Sequence, residues 1–279
     1  HIQDFEVDAG INLGSVPFLS AQKIILKIEI WLLKRFDKVS TISKSMMKKL
    51  DEKNIKTENQ IFFPNWSDLD CVSYAPKRGE EFRVNNGIKP SDFLVLYSGN
   101  MGEKQGLDMV VEAAKVLASN QSIRFLLCGD GADKKNLQGI VKDAGINNVT
   151  FLPLQSLDKF NCLLNSADLH LVIQKKGAAD LVMPSKLTNI IASGGYSLVT
   201  AEKGTELEIL ISDNPFLGTL IEPECLVDFL SAIKYLAARQ QKTEHYLIRS
   251  FAENTFDFNF VMRRFEENLK KATYDNAVG

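Results

Sequence analysis

FLVLYSGNMGEKQGLDMVVEAAKVLA, residues 93–118, carries the alternation that decides the fold. Phe93-Leu94-Val95-Leu96-Tyr97 is a short apolar run rich in β-branched and aromatic residues, as in a parallel strand buried on both faces. Glycines follow at 99, 102 and 106, and then Leu107, Val110, Val111, Ala114 and Leu117 recur at helical spacing. Strand, glycine loop and helix in that order present backbone N–H groups and a positive helix end to an anion. Lys104 sits inside the loop and adds an ammonium. The spacing G-x-x-G-x-x-x-G matches neither the Walker nor the dinucleotide fingerprint. It points to phosphate without naming a ligand, and a plain βα connection with a solvated lysine reads equally well here.

Outward from this stretch the alternation continues. Strands are predicted at 124–131, 148–153, 168–174 and 197–202. Helices are predicted at 134–145, 156–167, 185–194, 204–213, near 224–239 and through 256–271. Such alternation implies a parallel sheet covered on both faces, with its ligand beyond the carboxyl ends of the strands. Four loops meet at that end: 99–106, 129–133, 152–155 and 175–186.

Upstream, 1–9 and 37–43 read as strands, 44–54 as a short helix, and 61–65 as a strand stopped by Pro64. Residues 66–86 lack periodicity and are expected to be a linker with a short helix near its end. Residues 20–36 form a helix with two readings. Ile24, Ile25, Ile28, Trp31 and Leu32 either pack on a core or, with Lys23, Lys27, Lys34 and Arg35, lie on anionic lipid. The packed reading is preferred, because amphipathic helices are the rule in globular domains.

With 279 residues, 45% hydrophobic and 24% charged, the composition is that of a globular protein of one or two domains. A net charge of −2 offers nucleic acid no general attraction. Cys71, Cys128, Cys162 and Cys225 form no C-x-x-C pair, and no metal site or Ser-His-Asp order is readable. His170, between Leu169 and Leu171, is expected to be a packed structural histidine. No apolar run approaches the ~18 residues of a membrane span, and there is no signal peptide or initiator methionine. A reducing cytoplasm fits the cysteines. The chain opens in a stretch that already reads as strand, so the first domain is expected to begin outside this sequence.

Two further segments carry candidate chemistry. Gly129-Asp130-Gly131 follows a strand directly, and Asp130 holds either a ligand hydroxyl or its own turn. Residues 174–195, QKKGAADLVMPSKLTNIIASGG, bring Lys175, Lys176 and Lys186 to one rim. Pro184-Ser185 starts a helix whose free N–H groups face that rim, and Asn189 follows one turn later, in reach of sugar hydroxyls. A diphosphate suits the rim. Asp4, Glu6 and Asp8 alternate on one face of the first strand, as a polar edge or a contact for a hydroxylated acceptor.

The ordered blocks FDKVSTISKSMMKKL, IFFPNWSD, LVLYSGNMGEKQGLDMVVEAA, FLLCGDGADKKNL, NVTFLP, ADLHLVI and PSKLTNIIASGG resemble glycosyltransferase family 4 of the GT-B enzymes. Within it they are most similar to the bacterial colanic acid biosynthesis fucosyltransferase-like branch, where the opening QDFEVDA also belongs. The resemblance covers nearly the whole chain. It implies an α/β fold of GT-B type, two Rossmann-like domains with parallel sheets and a cleft between them. Residues 1–66 would be the last part of an N-terminal acceptor domain, 67–240 a C-terminal domain binding a nucleotide-sugar, and 241–279 a helical segment packing back toward the first.

The activity implied is a retaining, metal-independent hexosyl transfer from a GDP- or UDP-sugar, with no cofactor. The acceptor would be a growing bacterial exopolysaccharide or lipid-linked oligosaccharide, met in the cytoplasm at the inner face of the plasma membrane; no nucleic acid is involved. Lys104 matches the family's loop lysine that holds the donor diphosphate. Together with the reading of the residues, Lys104 and Lys186 are the catalytic candidates, stabilising the leaving diphosphate. Gly99, Asn100, Gly102, Gly129, Asp130, Leu154, Pro184, Ser185 and Asn189 are the donor-binding set, and Asp4 and Glu6 face the acceptor. Two departures stand out. Asn100 replaces a frequent arginine, and the E-x7-E motif becomes Leu181 and Asn189, with Asp180 beside the first position. A sugar-nucleotide epimerase of the same fold and a non-catalytic nucleotide-sugar-binding subunit are the alternatives.

Overall fold

The computed structural model describes residues 1–3, 5, 19–177, 185–239 and 244–278. The chain divides into two compact units, one holding His1–Asn65 and Asn259–Gly279, the other Trp66–Ala179 and Pro184–Phe258.

In the first unit α1 (Leu19–Leu33) leads to β1 (Val39–Thr41), α2 (Lys44–Glu52) and β2 (Gln60–Phe62), which pairs parallel to β1. The Ser43 side chain caps α2 by accepting the Met46 N–H at 3.1 Å. Met46 and Leu50 then fall one turn apart and join Phe5, Leu33, Val39, Ile42 and Ile55 in a small core. Of the strand expected at 1–9, Ile2 forms an isolated bridge to Thr41; Asp4 and residues 6–9 lie outside the described residues.

The described residues give α1 little of the core that the packed reading expects. Ile24 and Ile28 are 58% and 52% exposed, and Trp31 and Leu32 are open as well. Leu33 reaches the core at the helix end, and Glu29 pairs with Lys53 at 2.5 Å. An apolar stripe says that a helix needs a partner surface, but not that the described residues supply it.

The second unit opens with α3 (Pro76–Asn85), the short helix expected near the end of the 66–86 linker. Pro76 at the first turn suits a helix start, since its missing N–H would have had no partner there. Its ten residues show little periodicity because only Gly79 and Phe82 are buried along it. Then follow β3 (Phe93–Ser98), α4 (Leu107–Val116), β4 (Ile123–Cys128), α5 (Lys134–Asp143), β5 (Val149–Leu152) and α6 (Leu157–Asn165). After these come β6 (Leu169–Val172), α7 (Ser185–Ala192), β7 (Ser197–Thr200), α8 (Glu206–Asp213), β8 (Gly218–Ile221), α9 (Leu226–Arg239) and α10 (His245–Thr255). Last is α11 (Phe258–Val278). Neither β8 nor α10 was anticipated: β8 is a four-residue strand with one pairing neighbour, and α10 buries only Ile248 and Ala252.

The sheet order is β5-β4-β3-β6-β7-β8, every neighbouring pair parallel. From β3 the chain winds to one side through β4 and β5, then returns to β6 and winds to the other. The topological switch point therefore lies between β3 and β6, and a ligand crevice belongs at their carboxyl ends. Packed strands explain the unbroken apolar runs: Leu94, Val95, Leu96 and Tyr97 are all within 1% of full burial.

His170, the second residue of β6, is packed as expected, but its Nε2 has no hydrogen-bond partner. Gly195 makes the room, since a Cβ there would stand 2.5 Å from that nitrogen. Burial, then the neighbouring His245, lowers the His170 pKa from 6.5 to about 3. The native state thus refuses a proton that the unfolded chain accepts. This contribution to stability is complete above pH 6.5 and is lost as pH falls from 6.5 toward 3, at up to about 1.4 kcal/mol per pH unit. Denaturant unfolding at pH 7 and pH 5 is expected to show His170→Gln losing about 2 kcal/mol less than the parent over that interval. Equal losses would show that His170 does not stay neutral.

Candidate functional site

Two loops at the carboxyl ends of β3 and β4 are joined through their backbones. The Gly99 N–H donates to Cys128 O, Met101 N–H to Asp130 O at 2.7 Å, and Asp133 N–H to Met101 O. This approach is too close for side chains. A Cβ on Gly129, whose φ is +146°, would stand 1.9 Å from Gly99 O; one on Gly131 would stand 2.4 Å from Met101 O. Asp130 holds its own turn, accepting the Gly131 N–H at 2.9 Å, and Lys134 Nζ donates to Gly129 O. Gly129 N–H reaches Leu152 O, and the Cys128 thiol donates to Pro153 O, which ties in the next loop and leaves Leu154 exposed on it.

The glycine loop is braced from inside. Gln105 Oε1 accepts the Gly102 N–H at 3.1 Å, and Gly106 in the left-handed region turns the chain into α4. Lys104 is exposed on this loop, while its carbonyl accepts the Lys175 N–H from the segment after β6. That segment is strapped down by acids: Glu224 accepts the Lys176 N–H and Glu202 the Gly177 N–H. Lys175 is itself paired with Asp108 at 3.6 Å. Of the three lysines read onto one rim, Lys175 therefore already faces a carboxylate.

Lys186 differs. Its ammonium sits 4.7 Å from the centroid of the Tyr97 ring and pairs with no carboxylate among the described residues. Loss of water around it lowers its pKa from 10.5 to about 8. Tyr97 is fully buried, and its hydroxyl donates to Asn100 O. The structure thus joins Gly99, Asn100, Gly102, Lys104, Gly129, Asp130 and Lys186 through contacts at one end of the sheet.

Asn189 points elsewhere in part: its Oδ1 accepts the hydroxyl of buried Ser67 at 2.8 Å. Ser185 opens α7. Pro184, Asp180, Leu181, Asp4 and Glu6 lie outside the described residues. Sequence reasoning missed Tyr97, Gln105, Glu202 and Glu224 as parts of the site. Tyr97 counted only as a strand residue, though a buried tyrosine near the end of a strand needs a partner for its hydroxyl. The others brace loops through long-range contacts, which leave no local pattern.

A groove of about 960 Å³ opens at the opposite, amino end of β3 and β6, lined in part by Tyr74, Arg83, Asn165, Asp168, Tyr196 and His245. Its arginine is committed to Asp168, so it offers an anion no unpaired charge.

The family model for Glycosyl transferases group 1 matches residues 79–252, which run from α3 to α10 and include every loop just described. The chain belongs to the group 1 glycosyl transferases. It is 40% identical over 274 residues to the colanic acid biosynthesis glycosyl transferase WcaI of Escherichia coli K12, covering 97% of this chain and 67% of that one. Among solved structures it is similar to Anabaena HepE in complex with UDP and glucose, with a TM-score of 0.73 and 16% identity over 91% of this chain and 67% of that one. It is also similar to sucrose-phosphate synthase of Thermosynechococcus elongatus, with a TM-score of 0.74 and 17% identity over 95% of this chain and 66% of that one. At these identities the structures establish the GT-B fold. Family membership supports glycosyl transfer over the epimerase and the non-catalytic subunit.

Proposed function

We propose that this glycosyltransferase moves a sugar from a GDP- or UDP-sugar to a growing bacterial exopolysaccharide or lipid-linked oligosaccharide, and that the donor diphosphate sits at the β3/β6 switch point. On this reading 67–240 bind the donor, 1–66 belong to the acceptor domain, and 241–279 are a helical segment packing back toward it. The observation that carries it is a pair of lysines, Lys104 in the glycine loop and Lys186 over Tyr97, neither neutralised by a carboxylate among the described residues.

As the bond between the anomeric carbon and the phosphate oxygen breaks, negative charge gathers on the departing diphosphate. Both ammonium groups and the α4 N-terminus act on that charge without reorganising. The lysines supply the countercharge that a metal provides elsewhere, which supports a metal-independent transfer; retention is what the family resemblance implies. Asn189 offers its amide to the ribose in place of a glutamate, and Gly99, Gly102, Gly129, Asp130, Leu154, Pro184 and Ser185 complete the donor site. Asp4 and Glu6 contact the acceptor. The exposed apolar face of α1, flanked by Lys23 and Lys27, supports peripheral contact with the anionic inner face of the plasma membrane. No helix of the described residues is long and apolar enough to cross a membrane.

Titration calorimetry with UDP and GDP tests the donor site. Lys104→Ala is expected to weaken nucleoside diphosphate binding by about 1–3 kcal/mol while leaving the ligand-free melting temperature unchanged. Equal affinities in variant and parent would remove Lys104 from the site.

A further inference from the structure

We infer that Tyr97 is a positioning residue of the diphosphate site, whose hydroxyl fixes the glycine loop and whose ring face seats the Lys186 ammonium. This rests on the donor reading given above.

The two halves of the side chain have separate jobs. Tyr97 is the penultimate residue of β3, and none of its surface is exposed. A phenol so placed needs an acceptor, and the one it finds is the carbonyl of Asn100, two residues past the end of the strand. That carbonyl lies in the stretch that is also pinned by Gly99 to Cys128 and by Met101 to Asp130. Burial pushes the phenol pKa up, so the hydroxyl stays a donor at every working pH. The Asn100 peptide is therefore held on one side by the neighbouring loop and on the other by Tyr97.

The ring does what a carboxylate would do badly. A carboxylate beside Lys186 would fix the ammonium but cancel its charge, and would repel an incoming diphosphate. An aromatic face attracts a cation through its quadrupole and leaves the net charge in place. The seat at 4.7 Å thus holds a charge that is desolvated, oriented and not neutralised by any carboxylate among the described residues. One side chain consequently links a residue in β3 to a residue in α7, on either side of the switch point.

Tyr97→Phe and Tyr97→Leu separate the two jobs. Phe keeps the seat and frees the loop; Leu removes both. The Lys186 pKa in the ligand-free chain, read from the side-chain NMR signals of labelled lysine, is expected to be unchanged in Tyr97→Phe and to fall in Tyr97→Leu. A value unchanged or raised in Tyr97→Leu would refute the seat. UDP and GDP affinity in Tyr97→Phe is expected to drop about three- to tenfold at every pH from 6 to 10, the loss of one neutral hydrogen bond. Parent-like affinity would refute the loop role. Should Tyr97→Leu not fold, Tyr97→Met carries the seat test. Failure of the donor reading looks different: the parent chain would bind neither nucleotide, or Lys186→Met would bind as the parent does.

Discussion

Gly129→Ala is expected to destabilise the chain by about 3–5 kcal/mol, with nucleotide binding lost in whatever fraction folds. Two effects add at this position. The backbone has φ of +146°, a region that costs a residue with a Cβ about 1–3 kcal/mol. The new methyl would also stand 1.9 Å from Gly99 O, a backbone atom that cannot rotate away, and forcing such contacts apart costs about 1–3 kcal/mol more. Relief requires the 99–102 and 129–133 loops to separate, which breaks the Met101–Asp130 bond. Urea unfolding with nucleotide titration checks this. A variant within about 1 kcal/mol of the parent would show that the loops are not in contact there.

Lys186→Met has the next largest expected effect, and it falls on binding. Met matches the length of the stem but carries no charge, so one charge-assisted contact to the diphosphate disappears. Affinity for UDP or GDP is expected to fall about 10- to 100-fold at pH 7. Because the free Lys186 pKa is lowered to about 8 and a bound diphosphate raises it, the ligand favours the protonated form. Parental affinity should hold below pH 8 and decline as pH rises through and above it, whereas Lys186→Met should lack that alkaline limb. Stability moves the other way. Desolvation penalises the charged amine in the native state below pH 8, and the penalty fades between pH 8 and 10.5, so the ligand-free variant should be no less stable at pH 7. Calorimetry across pH 6 to 10 decides; identical curves for both proteins would place Lys186 outside the site.

The sequence alone determined much of the second unit. Runs such as 93–98 and 123–128 are local signals, because a strand covered on both faces must be apolar throughout. The glycine loop was legible for the same reason: backbone that approaches other backbone excludes side chains, and that leaves glycines at fixed places in the chain. An element that buries only two residues, such as α10, left too little periodicity to read.

Tertiary structure alone decided which charges are available. Lys175 and Lys186 look alike in the sequence, yet one faces Asp108 from a distant helix and the other an aromatic ring in β3. Asn189 looked like a free amide until Ser67, far away in the chain, met its carbonyl. The apolar stripe of α1 was plain in the sequence, but its exposure was not. Burial and pairing depend on what the rest of the fold brings near a residue, and that information lies outside the segment in which the residue is read.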